Sequence, residues 1–396
     1  MEGSLCAAHE DMKENVASLI RKLISPSLRF ELRETTAGLR EQLGLACFWR
    51  WEIVRLQQRF DHSPYDILYI GRKTKRDFAK ALLMINGGVD TRQIKSNISS
   101  RTVLVSEMPV PGALRVPFAL RVIIPLGRPM EAIASEFDDK MRRVLRNQRG
   151  AYRTQQAQNN AEIDCAEQEM LQPYARARHG TTASQLSPNE VRRMARTSGR
   201  LDVVLLGEEV VGCILACEVT HRKKRYWSLV RCGYPEAVFS DSKLLRETNA
   251  VNFYLALEWA IDNGFDYYDM GSCLGHPEDG LLQWKKRWGG LVSTMGNHDY
   301  FYVRLPKVGE AQFLWDSPLF ALERHNLTLH LGLPDGSSDE EFSLRYREMN
   351  RGMGIGGLSK IYLHCARPPS EGLLETLRSH YQHQQPTPIV ESIVST

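Results

Sequence analysis

The sequence predicts an α/β (α+β) protein of mixed sheets flanked by helices, and three observations lead to that expectation. Residues 201–234 hold three apolar runs separated only by GEE at 207–209 and by the charged THRKKR at 220–225, the pattern of an antiparallel meander. After the meander come a helix-length stretch (242–264), a short strand-like run (265–271), a second helical stretch and a last strand (293–305), so helices alternate with strands. Earlier in the chain, 63–71, 101–110 and 118–127 are apolar runs of strand length.

Taken in order, residues 10–24 read as an amphipathic helix, and FALRVIIPLG (118–127) is the clearest early strand. Residues 130–164 contain no proline and one glycine, Gly150, and place Ile133, Phe137, Met141 and Leu145 at helical spacing. They predict one long helix, interrupted at Gly150. On it Arg142, Arg146, Arg149 and Arg153 recur every three or four residues as a cationic stripe. Residues 185–199 begin a helix with Ser187 as cap, Pro188 in the first turn and Glu190 reaching back, and end it at Gly199. The 242–264 helix is closed by Asn263 and Gly264. Beyond 305 the pattern is less regular: 318–334 echoes 117–129, as a small duplication would, and 381–396 reads as a mobile tail.

The 396 residues are 42% apolar, enough to bury a large core in two or three units. No apolar run approaches 20 residues, and acids and lysines interrupt the first residues, so the chain is expected to be soluble and cytoplasmic. Eight scattered cysteines without a CxxC pair read as small buried hydrophobes, and eleven histidines include no HExxH or HxxxH pair. Neither a disulfide framework nor a metal site is expected. The net charge of +4 is modest, but residues 140–200 hold twelve Lys/Arg against five Asp/Glu. Such a stretch suits an anionic partner, for example a phosphorylated carrier, a nucleotide or tRNA, and equally a solvated helix face.

Several motifs, in their order, resemble the GNAT-like acyltransferases of the FemAB type, seen also as the GNAT domain of polysaccharide and natural-product biosynthesis. They are RRVLRNQR (142–149), YARARHG (174–180), GEEVVG (207–212), ALEWAIDNGFDYYDMGS (256–272) and GLLQWKKRWGG (280–290). The last is similar to that family's Gly-Leu-x-x-aromatic-Lys-x-x-aromatic-Gly ending. The resemblance covers about 118–305. It implies two GNAT-like units, the first within 1–117 after the N-terminal helix and the second over 118–305, with 306–380 as a C-terminal extension. It also implies transfer of an acyl or aminoacyl group to an amine acceptor, with acyl-CoA, a carrier-protein thioester or aminoacyl-tRNA as donor and no bound cofactor. By the same resemblance Lys285, at the motif lysine, faces the acyl carbonyl or a phosphate, and Arg142, Arg146, Tyr174 and Arg178 face the anionic carrier. The pyrophosphate turn of simpler GNAT proteins has no counterpart between Cys232 and Asn252. A match occurs at RGMGIG (351–356), but a helix-like stretch precedes it and no helix-like one follows, so it reads as coincidence.

Transfer to an amine needs a base for an ammonium whose pKa is about 10, a donor for the developing oxyanion, and a proton for the leaving group. The candidate carboxylates are Glu218, Asp269 and Asp279. Tyr234 and Tyr254 are candidate proton donors. His276 shares a glycine- and proline-bearing, solvent-facing loop with Ser272 and is either a proton carrier or an unengaged histidine. Asn249, Asn252 and Tyr254 are read as opening a helix whose free N–H groups offer an anion site. Trp284 and Trp288 are read as packing the 280–290 helix down, which fixes Lys285 toward the cleft and leaves Lys286 and Arg287 solvated, and Trp288 is also a candidate donor-binding residue. Two other classes stay open: a tRNA- or nucleic-acid-binding module without chemistry, and a biosynthetic scaffold that uses 306–396 as its contact surface.

Overall fold

A computed structural model describes residues 50–57, 65–90, 98–180, 186–297, 299–351, 353–381, 384 and 387–394, and the expected helix at 10–24 lies outside them. The strands in chain order are β1 (Trp51–Leu56), β2 (Asp66–Arg72), β3 (Val89–Asp90), β4 (Thr102–Ser106), β5 (Leu114–Pro117), β6 (Ala119–Pro125), β7 (Tyr152–Gln156), β8 (Gly199–Leu206), β9 (Glu209–His221), β10 (Lys224–Gly233), β11 (Tyr267–Leu274), β12 (Leu291–Ser293), β13 (Tyr300–Arg304), β14 (Leu319–Glu323), β15 (Asn326–Leu333), β16 (Lys360–Cys365) and β17 (Ile389–Val394). Sheets of mixed direction and intervening helices make it the α/β protein its patterning predicts. Among the described residues the chain divides into two compact units, one of 125–135 and 139–269, the other of 50–124, 136–138 and 270–394. These boundaries differ from the expected ones at 117 and 305, because β13 pairs with the early strands β4 and β5 and not with the meander.

In the first unit β7, β8, β9 and β10 are successive antiparallel neighbours, and β10 pairs in parallel with the start of β11. The meander follows from its turns. Gly207, at φ +62°, forms with Glu208 the two-residue link between β8 and β9. The charged 220–225 stretch is strand rather than loop: β9 runs to His221, β10 begins at Lys224, and only Arg222 and Lys223 turn the chain. Their φ values of +48° and +65° are those of the type I′ turn, whose twist matches a right-twisted ribbon.

β9 is buried without interruption from Val211 to Cys217. Ile163, Met170, Leu171, Val191 and Ala195 pack with Leu201, Cys213 and Leu215 into one core, where each buried aliphatic side chain of Leu or Ile size stabilises by about 1.5–3 kcal/mol. Helix Pro188–Thr197 starts with the expected reciprocal Ser187–Glu190 bonds. Helix Ser242–Asp262 is capped by Asp241 and ends at Asn263, with Gly264 at φ +68°.

The single helix expected over 130–164 is not formed. The segment breaks into helices Met130–Ser135 and Asp139–Gln148, a 3-10 turn holding Gly150, strand β7, and helix Asn160–Ala166. Tyr152, Arg153 and Thr154 pair with β8, where aromatic and β-branched residues sit better than in a helix. Arg153 therefore stands on a strand and the stripe is divided among separate ion pairs: Arg142 with Asp139, Arg149 with Glu258, Arg153 with Glu208.

In the second unit one sheet has the order β3-β1-β2-β4-β13-β5, and another the order β14-β15-β16-β17. The first sheet buries Val54, Ile67, Tyr69, Val103, Val105, Val116, Phe301 and Val303 with Leu82 of helix Lys73–Leu82. In the second sheet Gly332 lets helix Glu310–Asp316 lie against β15, since a Cβ there would stand 1.9 Å from Ala311 O. The supposed tail contributes β17, which pairs in parallel with β16 from Lys360↔Ile389 to Cys365↔Val394; its β-branched Ile-Val pairs flank Glu391 and Ser392 and suit a strand. No described helix is long and apolar enough to cross a membrane.

Candidate active site

The parallel ladder in the first unit sets Tyr226, Trp227 and Ser228 opposite Tyr267, Tyr268 and Asp269. It ends in a side-chain bond, Ser228 Oγ donating to Asp269 Oδ2 at 2.6 Å, with both residues buried. β10 nevertheless continues to Gly233, still paired with β9 through a register shift between Leu229 and Arg231. Exposure changes at the same point: Tyr226, Trp227 and Ser228 are buried, Leu229 to Cys232 half-buried. A strand released on one side presents backbone N–H and C=O groups to an extended ligand.

This irregular stretch is held by a buried ion pair. Arg231 Nη1 donates to both carboxylate oxygens of Glu167, at 3.1 and 3.2 Å, and Glu167 is 1% exposed. Glu167 begins a π-helical turn, Glu167–Leu171. Gly233 admits that turn, because a Cβ at 233 would lie 2.6 Å from Leu171 N. Strand bulges and π turns both recur at functional sites, where they re-aim side chains.

Beyond β10 lies a polar cluster. The fully buried Tyr234 donates to Asn249 Oδ1 at 2.8 Å and accepts from Asn252 Nδ2 at 3.5 Å, and Asn252 Nδ2 also donates to Cys213 O. The ring of Tyr174 stands edge-on to Tyr234 with centroids 4.9 Å apart, and its hydroxyl accepts from Arg178 Nε at 3.1 Å. Arg178 is exposed, so its guanidinium reaches solvent while the tyrosine orients it. Burial raises the Tyr234 hydroxyl well above its ordinary value and pushes the half-buried Cys232 thiol up to about 11. Both therefore hold their protons at neutral pH: Tyr234 donates, and Cys232 is not a thiolate nucleophile.

The structure brings Tyr174, Arg178, Tyr234, Asn249 and Asn252 together, although the sequence named them for separate roles. The helix starts at Ser242, so Asn249, Asn252 and Tyr254 lie in its interior and their N–H groups offer no anion site. The asparagines act through their side chains instead. Tyr254 sits apart, under the Arg149 guanidinium 4.6 Å from its ring. Arg146 is exposed on helix Asp139–Gln148. Glu218 is paired with Arg225, which lies over Phe265 at the closed end of the ladder, so it is not a base for the open end.

The remaining expected residues belong to the second unit. Asp279 is the N-cap of helix Gly280–Lys285, accepting from Leu282 N, and is not poised as a base. Ser272 is exposed near the end of β11. His276 is fully buried rather than solvent-facing; its Nδ1 accepts from Glu278 N, and burial with the nearby Arg345 holds it down to about 4, so it is neutral at physiological pH. Trp288 is fully buried against Phe137 at 5.0 Å, a packing anchor that no ligand reaches as it stands. Lys285 is 3% exposed and its ammonium donates to Gly271 O at 2.7 Å and Ser272 O at 2.8 Å. It binds the end of β11 instead of projecting outward. RGMGIG joins helix Asp339–Asn350 to β16, so no helix N-terminus follows it.

The sequence reading missed Lys286, Glu167, Arg231 and Cys232. Lys286 is 3% exposed, donates to Asn350 O and to Met353 O at 2.9 Å, and is held down to about 7 by burial and then by Arg351. Nothing in KKR separates it from a solvated lysine; its carbonyl partners are over sixty residues away. The unfolded amine titrates near 10.5, so between pH 7 and 10.5 the folded chain binds fewer protons and the wild type gains stability over Lys286→Met as pH rises. The expected slope is up to about 1.4 kcal/mol per pH unit. Urea unfolding of both proteins at pH 7, 8 and 9 measures it, and parallel profiles would contradict it.

No protein-family model matches the chain, and no curated protein matches it. Among solved structures it is similar to FemX, at 13% identity and a TM-score of 0.37, over 66% of this chain and 90% of that one. It is similar also to the L-PGS of Bacillus licheniformis, at 12% and 0.33, over 66% and 86%. A GCN5-related N-acetyltransferase of Anabaena variabilis matches at 11% and 0.26, over 69% and 62%.

Proposed function

We propose that the protein is an N-acyltransferase that moves an acyl or aminoacyl group from an activated carrier to an amine. The observation that carries this reading is the end of the β10–β11 ladder at Ser228–Asp269, with β10 continuing half-buried to Cys232. An extended, amide-bearing carrier arm is the ligand whose hydrogen bonds such an edge satisfies. Arg178, oriented by Tyr174, is placed to meet the anionic part of the carrier, whether CoA, a carrier-protein prosthetic group or aminoacyl-tRNA. In the transfer the neutral acceptor nitrogen bonds to the acyl carbon and gives up a proton, the bond from that carbon to the carrier's sulfur or oxygen breaks, and the leaving group takes up one proton, so that none is gained or lost overall. The protonated Tyr234, oriented by Asn249 and Asn252, is the proton source for the leaving group beside that edge, and the proton that the amine gives up restores it. With Cys232 protonated, direct transfer is favoured over a thiol-bound intermediate.

The non-catalytic nucleic-acid reading loses part of its support, because five of the eleven arginines between 140 and 200, namely Arg142, Arg149, Arg153, Arg192 and Arg200, are tied to acids. The test is to incubate the purified protein with acyl-CoA, loaded carrier protein and aminoacyl-tRNA in parallel, each with mixed amines, and to follow donor loss by mass spectrometry. Amine-dependent consumption of one donor is expected. No consumption of any, by a protein that binds one of them, would favour a binding role.

A further inference from the structure

A second recess in the first unit is not used by the transfer step as described. It is a cavity of about 290 Å³, bounded by β7, β8 and the start of β9 on one side and by the helical segment Asn160–Leu171 on the other. Ala166, Met170, Val203 and Leu205 give it an apolar floor, and Glu162, Glu169 and Cys165 stand at its exposed rim. Among the described residues no Lys, Arg or His lines it. Its volume is at the lower end of small-molecule sites, which start at roughly 300 Å³. Pro235, the residue after Tyr234, also lines it. Met170 O lies 2.7 Å from where a Cβ on Gly233 would stand, so the cavity shares a wall with the open end of β10.

We infer that this cavity takes the acceptor, and that the acceptor is a primary amine carried on a compact apolar body. The inference rests on the transferase reading of β10. The floor removes an apolar body from water, while the two rim carboxylates favour an ammonium and disfavour a phosphate or carboxylate there. Glu162 already accepts from Gln158 N at 2.7 Å and from Asn159 Nδ2 at 2.5 Å, but a carboxylate has about four acceptor positions and can take a further donor. Burial and then Glu169 raise the Cys165 thiol, so it stands neutral among the carboxylates. Tyr234 and Pro235 are adjacent in sequence, which puts such an acceptor beside the carrier's edge.

Cys165 serves as the reporter, since it is exposed at the rim. Its alkylation by iodoacetamide is followed at peptide level in the full chain, with 2-phenylethylamine or its uncharged isostere 2-phenylethanol as probe. The amine is expected to slow alkylation at least about threefold more than the alcohol, as pairing with partly exposed carboxylates allows. Glu169→Gln is expected to reduce the difference, and Glu162→Gln with Glu169→Gln to abolish it. Equal protection by both probes, no protection by either, or a preference unchanged in the double variant would overturn the inference. Transfer is read separately. A protein that shields Cys165 with the amine but consumes no donor keeps the amine pocket and loses the transferase reading, whereas transfer to amines with Cys165 unshielded does the reverse.

Discussion

Replacing Glu167 by alanine is expected to lower stability by about 3–5 kcal/mol, among the largest effects of any single change. The carboxylate is 1% exposed and its partner Arg231 has a side chain only 10% exposed. Removing one member leaves the other charge buried without compensation, which is the costly way to break such a pair. Arg231 Nη2 already has no hydrogen-bond partner among the described residues, so no second acceptor stands by. Because Arg231 sits at the register shift of β10, the same change should also disorder the open edge and weaken donor binding. Urea denaturation gives the stability, and the conservative Glu167→Gln, which keeps shape and one acceptor, should lose clearly less. A loss under about 1 kcal/mol for the alanine variant would show that the pair holds nothing in place.

The second large effect concerns Lys285. Its ammonium satisfies two backbone carbonyls, Gly271 and Ser272, at a point where Gly271 takes φ +79°. Hydrogen bonds to a charged group contribute about 1.5–3 kcal/mol each, so Lys285→Ala is expected to destabilise by about 3 kcal/mol or more. A lysine that instead stabilises the reacting oxyanion would leave stability intact while kcat fell about 100-fold or more. Measuring stability and kcat on the same variant separates these outcomes.

The two tryptophans of QWKKRW explain what could be read from sequence and what could not. Trp288 packs inward as its helical spacing suggested, which leaves it no place as a donor-binding residue, and the capping signals at Ser187 and Gly264 correctly bounded two helices. Such features are local, decided within one turn of chain. The fate of Lys285 and Lys286 depended on carbonyls thirteen to sixty-seven residues distant, for which a sequence window holds no signal. The 130–164 segment failed for a related reason: its apolar residues keep helical spacing, but Tyr152 and Thr154 were claimed by β8. At the candidate site, Tyr174 and Arg178 came from the family resemblance, Tyr234 from the need for a proton donor and Asn249 and Asn252 from a mistaken helix start, and tertiary packing supplied the contacts that join them.

The open edge of β10 is the proposed seat of the activated carrier. Hydrogen–deuterium exchange over Leu229–Gly233, with and without whichever donor the protein consumes, addresses it most directly. Binding of the donor is expected to slow exchange in that segment by about tenfold or more, with little change in the already paired Tyr226–Ser228. Unchanged exchange at 229–233 under saturating donor would contradict the account.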